Sequence, residues 1–179
     1  MGSKEDVSHF YRDVTPNLDL FVEVCGVSLT ADQKEVVSRV SSGESDLYLK
    51  YPYVGGEMIT QVLAAWRLLT ARDRVIWVFP PSIHLFRRTW LQDFKELMRS
   101  APPIVSDMFR VTDRVAVQGY SADRWGLTGG LPSRRMSLHD PHLDVFVLDA
   151  RSLPSYALSY IQSRPKSLDF PPLTFVGAG

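Results

Sequence analysis

This 179-residue sequence has a single cysteine, no excess of either charge and no long apolar run. Cys25 has no partner for an internal disulfide, which is typical of a protein in a reducing compartment, so we expect an intracellular protein, nuclear or cytoplasmic. Because Cys25 lies in an apolar run, we expect a small core residue rather than a nucleophile. Lysine plus arginine and aspartate plus glutamate both number 20. This balance argues against a nucleic-acid coat protein, although it leaves room for a local basic groove.

Signals for export, membrane insertion and acyl transfer are also missing. No apolar stretch approaches the roughly 18 residues of a membrane span, and the polar N-terminus lacks the apolar segment of a signal peptide. We therefore expect no membrane partner. The sequence contains no G-x-S-x-G nucleophile elbow, so nothing in it points to a serine hydrolase.

Apolar patterning predicts an α/β fold. Short continuous apolar runs are typical of strands buried on both faces, and they alternate here with segments of helical spacing. The predicted strands are Leu47–Lys50, Val75–Phe79, Arg114–Gln118, Asp144–Leu148 and Leu173–Val176. The predicted helices are Ala31–Ser41 with Thr30 as N-cap and Gly43 as its stop, Glu57–Leu69, a helix from Ser82 to Arg99, and Pro154–Ser163, with an amphipathic segment around Leu18–Val24. Residues 119–142 are predicted to be loop. This alternation favours right-handed βαβ units and a three-layer α/β/α architecture with a mainly parallel sheet.

The length indicates one principal domain. We predict an N-terminal extension over residues 1–28 and a single lobe over residues 29–179. The sequence stops in an apolar strand that runs into a glycine turn, Leu173–Gly179. We therefore interpret the chain as a fragment of a longer protein.

The segment after the first predicted strand lies where a phosphate-binding loop would lie, but it lacks the functional side chains of such a loop. Residues 51–58 read Tyr-Pro-Tyr-Val-Gly-Gly-Glu-Met and lead into a helix. A working loop, G-x-x-x-x-G-K-[ST], needs a lysine to hold the β- and γ-phosphates and a Ser or Thr to ligate Mg²⁺. Here Glu57 follows Gly56, and Met58 comes next. A carboxylate has replaced the cation, and a thioether has replaced the hydroxyl.

Several blocks, in order, resemble the first RecA-like lobe of superfamily 1 and 2 helicases and translocases, with a Swi/Snf-like pattern. Leu29-Thr-Ala-Asp-Gln33 resembles the block that precedes the P-loop. The strand and helix of 75–97, with Trp90-Leu-Gln-Asp-Phe94, resemble motif Ia. Val145–Ala150 falls at the Walker B strand, and Phe175–Gly179 falls at motif III. The resemblance covers about residues 29–179 and implies a P-loop NTPase-like, RecA-like lobe.

The departures from this family fall on the catalytic positions. In the family, the Walker B aspartate binds the metal and the next glutamate polarises the attacking water. Asp149 keeps the first role, but Ala150 stands in place of the glutamate. The resemblance therefore implies a degenerate nucleotide site with no catalytic residue, no metal and no cofactor, formed by Pro52, Gly55, Gly56, Glu57, Met58, Asp149 and Ala150.

These departures predict a pseudo-ATPase rather than an enzyme. Helicase-like lobes of this kind serve as protein-interaction or nucleic-acid-binding scaffolds in larger assemblies, including chromatin-modifying complexes. The expected partner is a protein or a second helicase-like lobe, and no small-molecule substrate is expected. In such lobes the loop after the second strand and the next helix face the nucleic-acid backbone. The candidates for nucleic-acid binding are Ser82, Arg87, Arg88, Arg124, Arg134 and Arg135.

Several alternatives stay open at this point. Arg87 and Arg88 would equally solvate the outer face of an amphipathic helix. The Gly55-Gly56 turn would also suit another α/β fold, with Asp149 an ordinary residue at a strand end. An active but divergent helicase or viral DNA-packaging motor is the enzymatic alternative, and a small-molecule-binding α/β domain is a third. The run 139–142, His-Asp-Pro-His, has metal-ligating residue types, but its proline and the lack of a second cluster favour a polar turn.

Overall fold

One mixed sheet of seven strands organises the computed structural model, which describes residues 8–49, 56–70, 74–112, 116–118, 126–130, 142–163 and 172–177. The strands are β1 (Asp46–Leu49), β2 (Val75–Phe79), β3 (Phe109–Val111), β4 (Ala116–Gln118), β5 (Gly126–Gly129), β6 (Leu143–Val147) and β7 (Thr174–Gly177). Their order across the sheet is β1-β7-β6-β2-β5-β4-β3. The first five in this order are parallel, whereas β4 runs antiparallel to both β5 and β3. The predicted α/β fold with a mainly parallel sheet is confirmed.

Helices lie on both faces of the sheet. They are α1 (Leu18–Val24), α2 (Ala31–Ser41), α3 (Gly56–Thr70), α4 (Ile83–Leu85), α5 (Leu91–Ser100), α6 (Pro103–Ser106) and α7 (Ser155–Gln162). A π-helical turn, Phe86–Trp90, joins α4 to α5, so that 83–100 form one continuous helix. The larger core lies between the sheet and α1, α2, α3 and the 83–100 helix, and α7 covers a smaller core on the other face. The three-layer architecture is therefore confirmed.

Capping side chains determine where two of the helices begin. The Thr30 hydroxyl accepts from the Gln33 N–H, and the Gln33 side chain accepts from the Thr30 N–H at 2.9 Å, which completes a capping box at the start of α2. Gly43 follows the end of α2 with φ +92°, a conformation that favours glycine. Ser82 begins the 83–100 helix by accepting from the Leu85 N–H at 3.2 Å. These predicted signals are confirmed.

Two strands depart from the sequence-based expectation. The prediction of loop throughout 119–142 is wrong, because Gly126–Gly129 form β5 between β2 and β4. In this strand, Leu127 is the one large apolar side chain, so the apolar pattern is too short to detect. β3 likewise has no predicted counterpart. The spacing of Ile83, Phe86, Trp90, Phe94 and Leu97 predicts one buried face for the helix that follows Ser82. Ile83 is instead 39% exposed because it lies in the first turn, and Phe86 is the first residue of this helix to be buried.

The N-terminal residues pack against the same core as the rest of the chain. Phe10, Leu18 and Phe21 are buried beside α3, and the Trp66 indole donates to the Thr15 carbonyl at 2.8 Å. Cys25 is buried among these side chains, as predicted, and its burial raises the pKa of the thiol to about 12. Such a thiol is almost entirely protonated at neutral pH and is a poor nucleophile. Within the described ranges, no helix has the length and apolar character needed to cross a membrane.

A buried carboxylate connects four elements of the fold. Asp144 of β6 is fully buried and accepts from Arg67 of α3, with Nε to Oδ2 at 2.8 Å and Nη2 to Oδ1 at 2.9 Å. Arg74, just before β2, has its Nη1 atom 3.5 Å from Oδ1. The Leu173 N–H, just before β7, donates to Oδ1 at 2.7 Å. Asp144 therefore joins α3 to three neighbouring strands of the parallel sheet.

Replacing Asp144→Asn should lower the free energy of unfolding by about 3–5 kcal/mol, because two buried guanidinium groups lose their carboxylate. Urea denaturation measures the change. Glu96→Gln is the matched control, since Glu96 forms an exposed ion pair with Arg99. Exposed pairs contribute little, so this variant should stay close to the parent. Equal loss of stability in the two variants would contradict the role of Asp144.

Stacked aromatic rings hold the 83–100 helix against the sheet. Phe86 stacks on Trp90 with ring centroids 5.7 Å apart, and Trp90 stacks on Phe94 at 5.5 Å. β5 passes so close to this stack that a Cβ atom on Gly129 would lie 2.3 Å from the Phe86 ring. Gly129 is therefore required by packing, since a larger residue would displace the stack.

Gly129→Ala should destabilise the protein by about 1–3 kcal/mol through overpacking. Gly130→Ala is the control from the neighbouring position, where the nearest atom to a new Cβ, Ile83 Cδ1, would lie 3.7 Å away. Thermal unfolding should show a lower Tm for the first variant than for the second. A Gly129→Ala variant as stable as its control would be inconsistent with this packing.

Candidate functional site

The five parallel strands end at one edge of the sheet, which we call the carboxyl edge. α3 begins after β1, the 83–100 helix begins after β2, and Asp149 follows β6. In open α/β sheets, ligands bind at this edge, where connections from neighbouring strands leave in opposite directions. β2 and β6 are such neighbours, because the chain leaves β2 toward β3 on one side and β6 toward β7 on the other. The described residues of the predicted nucleotide site all lie at this edge.

The first turn of α3 contains the residues at the lysine and hydroxyl positions of the helicase-like motif. Gly56 begins the helix, and Glu57 and Met58 follow with exposed side chains. The Thr60 hydroxyl donates to the Glu57 carbonyl at 2.7 Å. Pro52 and Gly55 lie outside the described residues. In this turn, a carboxylate and a thioether are therefore the side chains that face solvent at the carboxyl edge.

The electrostatics of this turn are unfavourable for an anion. Partial burial, and then the neighbouring Asp93 carboxylate, raise the pKa of Glu57 above its ordinary value. A helix N-terminus alone would lower the pKa of a carboxyl group there. Desolvation and the second negative charge act in the opposite direction. A phosphate at this turn would meet the Glu57 and Asp93 carboxyl groups, and Glu57 stands where the helicase-like motif has its lysine.

Asp149 is held in an ion pair with its own neighbour. It caps the 3₁₀ turn Ala150–Ser152, and its Oδ1 accepts from the Arg151 N–H at 2.9 Å. The Arg151 guanidinium contacts both oxygens, Nε to Oδ1 at 3.1 Å and Nη2 to Oδ2 at 3.0 Å. Ala150 packs against the smaller core. The sequence analysis missed Arg151, although a cation two residues after a capping aspartate is a readable signal.

Three of the six nucleic-acid candidates lie at the start of one helix. The Ser82 hydroxyl is the helix cap, and Arg87 and Arg88 are exposed in the π-helical turn. Arg124, Arg134 and Arg135 lie outside the described residues. The structure therefore brings two exposed guanidinium groups to the carboxyl edge.

Exposed apolar side chains are concentrated at this same edge. Seven large apolar residues are exposed among those described, and four of them lie in first turns of helices that start here. These four are Met58, Ile83, Leu85 and Tyr156. Sequence patterning does not single them out, because each lies in a helix that also contributes apolar residues to a core. Three of them, Met58, Ile83 and Leu85, belong to helices on one face of the sheet, and Tyr156 belongs to α7 on the other.

Polar groups also line a cavity away from the carboxyl edge. A cavity of about 490 Å³ lies at the opposite edge, with Asn17, Glu44, Arg67 and Leu173 in its walls. Asn17 caps α1, Glu44 pairs with Arg39 and Arg67 binds Asp144, so these polar groups already have structural partners. No group of three or more His, Cys, Asp or Glu side chains that could hold a metal occurs among the described residues. Residues 139–141 lie outside them.

Comparisons with models of protein families, with curated proteins and with solved structures found no match for this chain.

The pKa of Glu57 should lie above that of an ordinary glutamate, and Asp93→Asn should lower it by removing a like charge. The folded state holds this proton more tightly than the unfolded chain. The group therefore adds stability as the pH falls through its folded pKa and loses that contribution as the pH rises. A carboxyl NMR titration of the parent and the variant measures both values. A Glu57 pKa below the ordinary range would show that the helix dipole or a cation dominates instead.

Proposed function

We propose that this chain is a catalytically inactive, helicase-like module, a pseudo-ATPase that serves as a protein-interaction scaffold in a larger complex. One observation carries the proposal. Glu57 and Met58 occupy the first turn of α3, and both oxygens of Asp149 are bound by Arg151. The phosphate side has Glu57 where the motif has its lysine, and the metal side keeps Asp149 but has Ala150 in place of the glutamate.

The energetics of Mg-ATP binding support this proposal. A triphosphate at the first turn of α3 would be repelled by Glu57 and Asp93, where a working site attracts it with a lysine. To bind Mg²⁺, Asp149 would have to give up its contacts with Arg151. Removing a single group that stabilises transition-state charge commonly costs about 10²–10³-fold in rate. The absence of both the lysine and the glutamate therefore leaves little scope for hydrolysis.

A protein partner fits the carboxyl edge better than a nucleic acid does. The exposed arginines Arg87 and Arg88 favour nucleic acid as the second candidate partner. Glu57 and Asp93 oppose it, because they would repel a phosphate backbone at the neighbouring helix. The exposed Met58, Ile83 and Leu85 also gain more from burial against a protein than from contact with phosphates.

The parent chain should show no binding of Mg-ATP in titration calorimetry, because its site repels the triphosphate. A Glu57→Lys/Met58→Thr variant should bind Mg-ATP if the loop is an altered P-loop. Glu57→Gln/Met58→Ala is the matched control, since it removes the carboxylate without supplying a cation or a hydroxyl, and it should not bind. Micromolar binding by the parent would overturn the pseudo-ATPase proposal.

A further inference from the structure

The cavity at the opposite edge of the sheet is a second candidate binding site. It lies where Ser45 precedes β1 and Leu173 precedes β7, beside the start of α1 and the end of α2. Its volume of about 490 Å³ is within the range of small-ligand pockets, which is about 300–1,000 Å³. The candidate nucleotide site is at the carboxyl edge, so this cavity is independent of the proposed function.

The floor of the cavity is apolar. It consists of four buried side chains, those of Leu18, Val40, Trp66 and Leu173. The Trp66 indole is fixed there, because its N–H donates to the Thr15 carbonyl at 2.8 Å. A ligand in this cavity therefore needs an apolar body to pack on the floor, and its polar group has to face the rim.

Three charged side chains of the described residues line the cavity, and two of them are already paired. Arg39 holds Glu44 through two contacts of 2.6 Å, from Nε to Oε2 and from Nη2 to Oε1. Arg67 binds both oxygens of Asp144 through its Nε and Nη2 atoms. These paired groups shape the cavity and add little net charge to it.

Asp19 is the third charged side chain. It is exposed at the rim, and its contact within the described chain is with the Ser41 hydroxyl, which lies 3.5 Å from Oδ2. This distance is at the outer limit of a hydrogen bond, so the carboxylate keeps its capacity to accept from a ligand. α2 also ends at the cavity, with Val40 and Ser41 in the walls, and the C-terminal end of a helix attracts positive charge. Both features favour a cation.

An organic ammonium ion fits the cavity better than a metal ion does. Calcium takes about six to eight oxygen ligands, whereas the described residues contain no group of three or more His, Cys, Asp or Glu side chains that could hold a metal. An ammonium group needs fewer acceptors, and an aromatic ring beside it adds attraction. The Asp19 carboxylate, the Ser45 hydroxyl and the Trp66 indole line this cavity and supply these groups.

We propose that the cavity binds a small organic ammonium ion with an apolar body. The ammonium group donates to the Asp19 carboxylate at the rim, and the body packs on the apolar floor. An anion is disfavoured, because Asp19 repels it and the Arg67 guanidinium is already bound to Asp144.

Phenethylammonium is the probe that tests the cavity, and 2-phenylethanol is its neutral isostere. In an NMR titration of the ¹⁵N-labelled full chain, phenethylammonium should shift the Trp66 indole N–H signal saturably. A ligand of this size should have a Kd of about 0.1–1 mM. 2-Phenylethanol should bind at least about tenfold more weakly, and 3-phenylpropionate should not bind, because Asp19 repels its carboxylate.

Asp19→Asn should weaken the binding of phenethylammonium about tenfold and leave that of 2-phenylethanol unchanged, because it removes the charge and keeps the shape of the side chain. Asp32→Asn is the matched control. Asp32 is an exposed aspartate in the first turn of α2, at the end of that helix away from the cavity. This variant should bind both probes as the parent does. The ¹⁵N–¹H spectra check that both variants are folded.

Four results would overturn this site. These are no saturable shift with phenethylammonium, equal affinity for the ammonium and either of the other probes, equal loss of affinity in Asp19→Asn and Asp32→Asn, and tighter binding of Nα-acetyl-lysine methylamide than of phenethylammonium. The last result would assign the rim to a lysine side chain of a protein partner. Failure of the proposed function is distinguishable, because Mg-ATP binding at the carboxyl edge would overturn the pseudo-ATPase and leave this site standing.

Discussion

The ion pairs of one buried carboxylate determine where the candidate site lies. Asp144 would be strongly destabilising in the core by itself, and Arg67 and Arg74 compensate its charge. Arg67 is near the end of α3, a helix of 15 residues that is about 22 Å long. Because a helix of this length is stiff, anchoring one end also positions the other. The placement of Glu57 and Met58 at the carboxyl edge therefore depends on an interaction at the opposite edge of the sheet.

Features that are encoded over a few adjacent residues could be predicted from the sequence, whereas features created by distant contacts could not. The apolar runs of β2 and β6 and the cap at Thr30 belong to the first kind. β5 belongs to the second kind. Its Gly129 is needed because the Phe86 ring, which belongs to another element, leaves no room for a Cβ atom there. In the sequence, Asp144 is only the polar start of a predicted strand, since nothing nearby reveals that Arg67 lies against it. The π-helical turn is also invisible to a periodicity of 3.6 residues.

The same distinction applies to the candidate site. Missing groups can be read from residue identities, so the sequence predicts that lysine, hydroxyl and glutamate are absent around Glu57 and Ala150. What replaces them depends on packing. The Asp93 carboxylate approaches Glu57 from a different helix, and Met58, Ile83 and Leu85 are exposed in the first turns of their helices. A sequence pattern therefore indicates the loss of one function more readily than the gain of another.

The physical requirements of a nucleotide site and of a protein interface conflict at Glu57. A P-loop helix must present cations and backbone N–H groups to a solvated anion, and apolar side chains around it add nothing to phosphate binding. A protein interface instead favours apolar side chains with paired charges at its margin. Glu57 fits the second arrangement better, because a carboxylate that repels a triphosphate can pair with a cation of a protein partner. A lysine at this position would reverse both preferences, since it attracts phosphate and repels that cation.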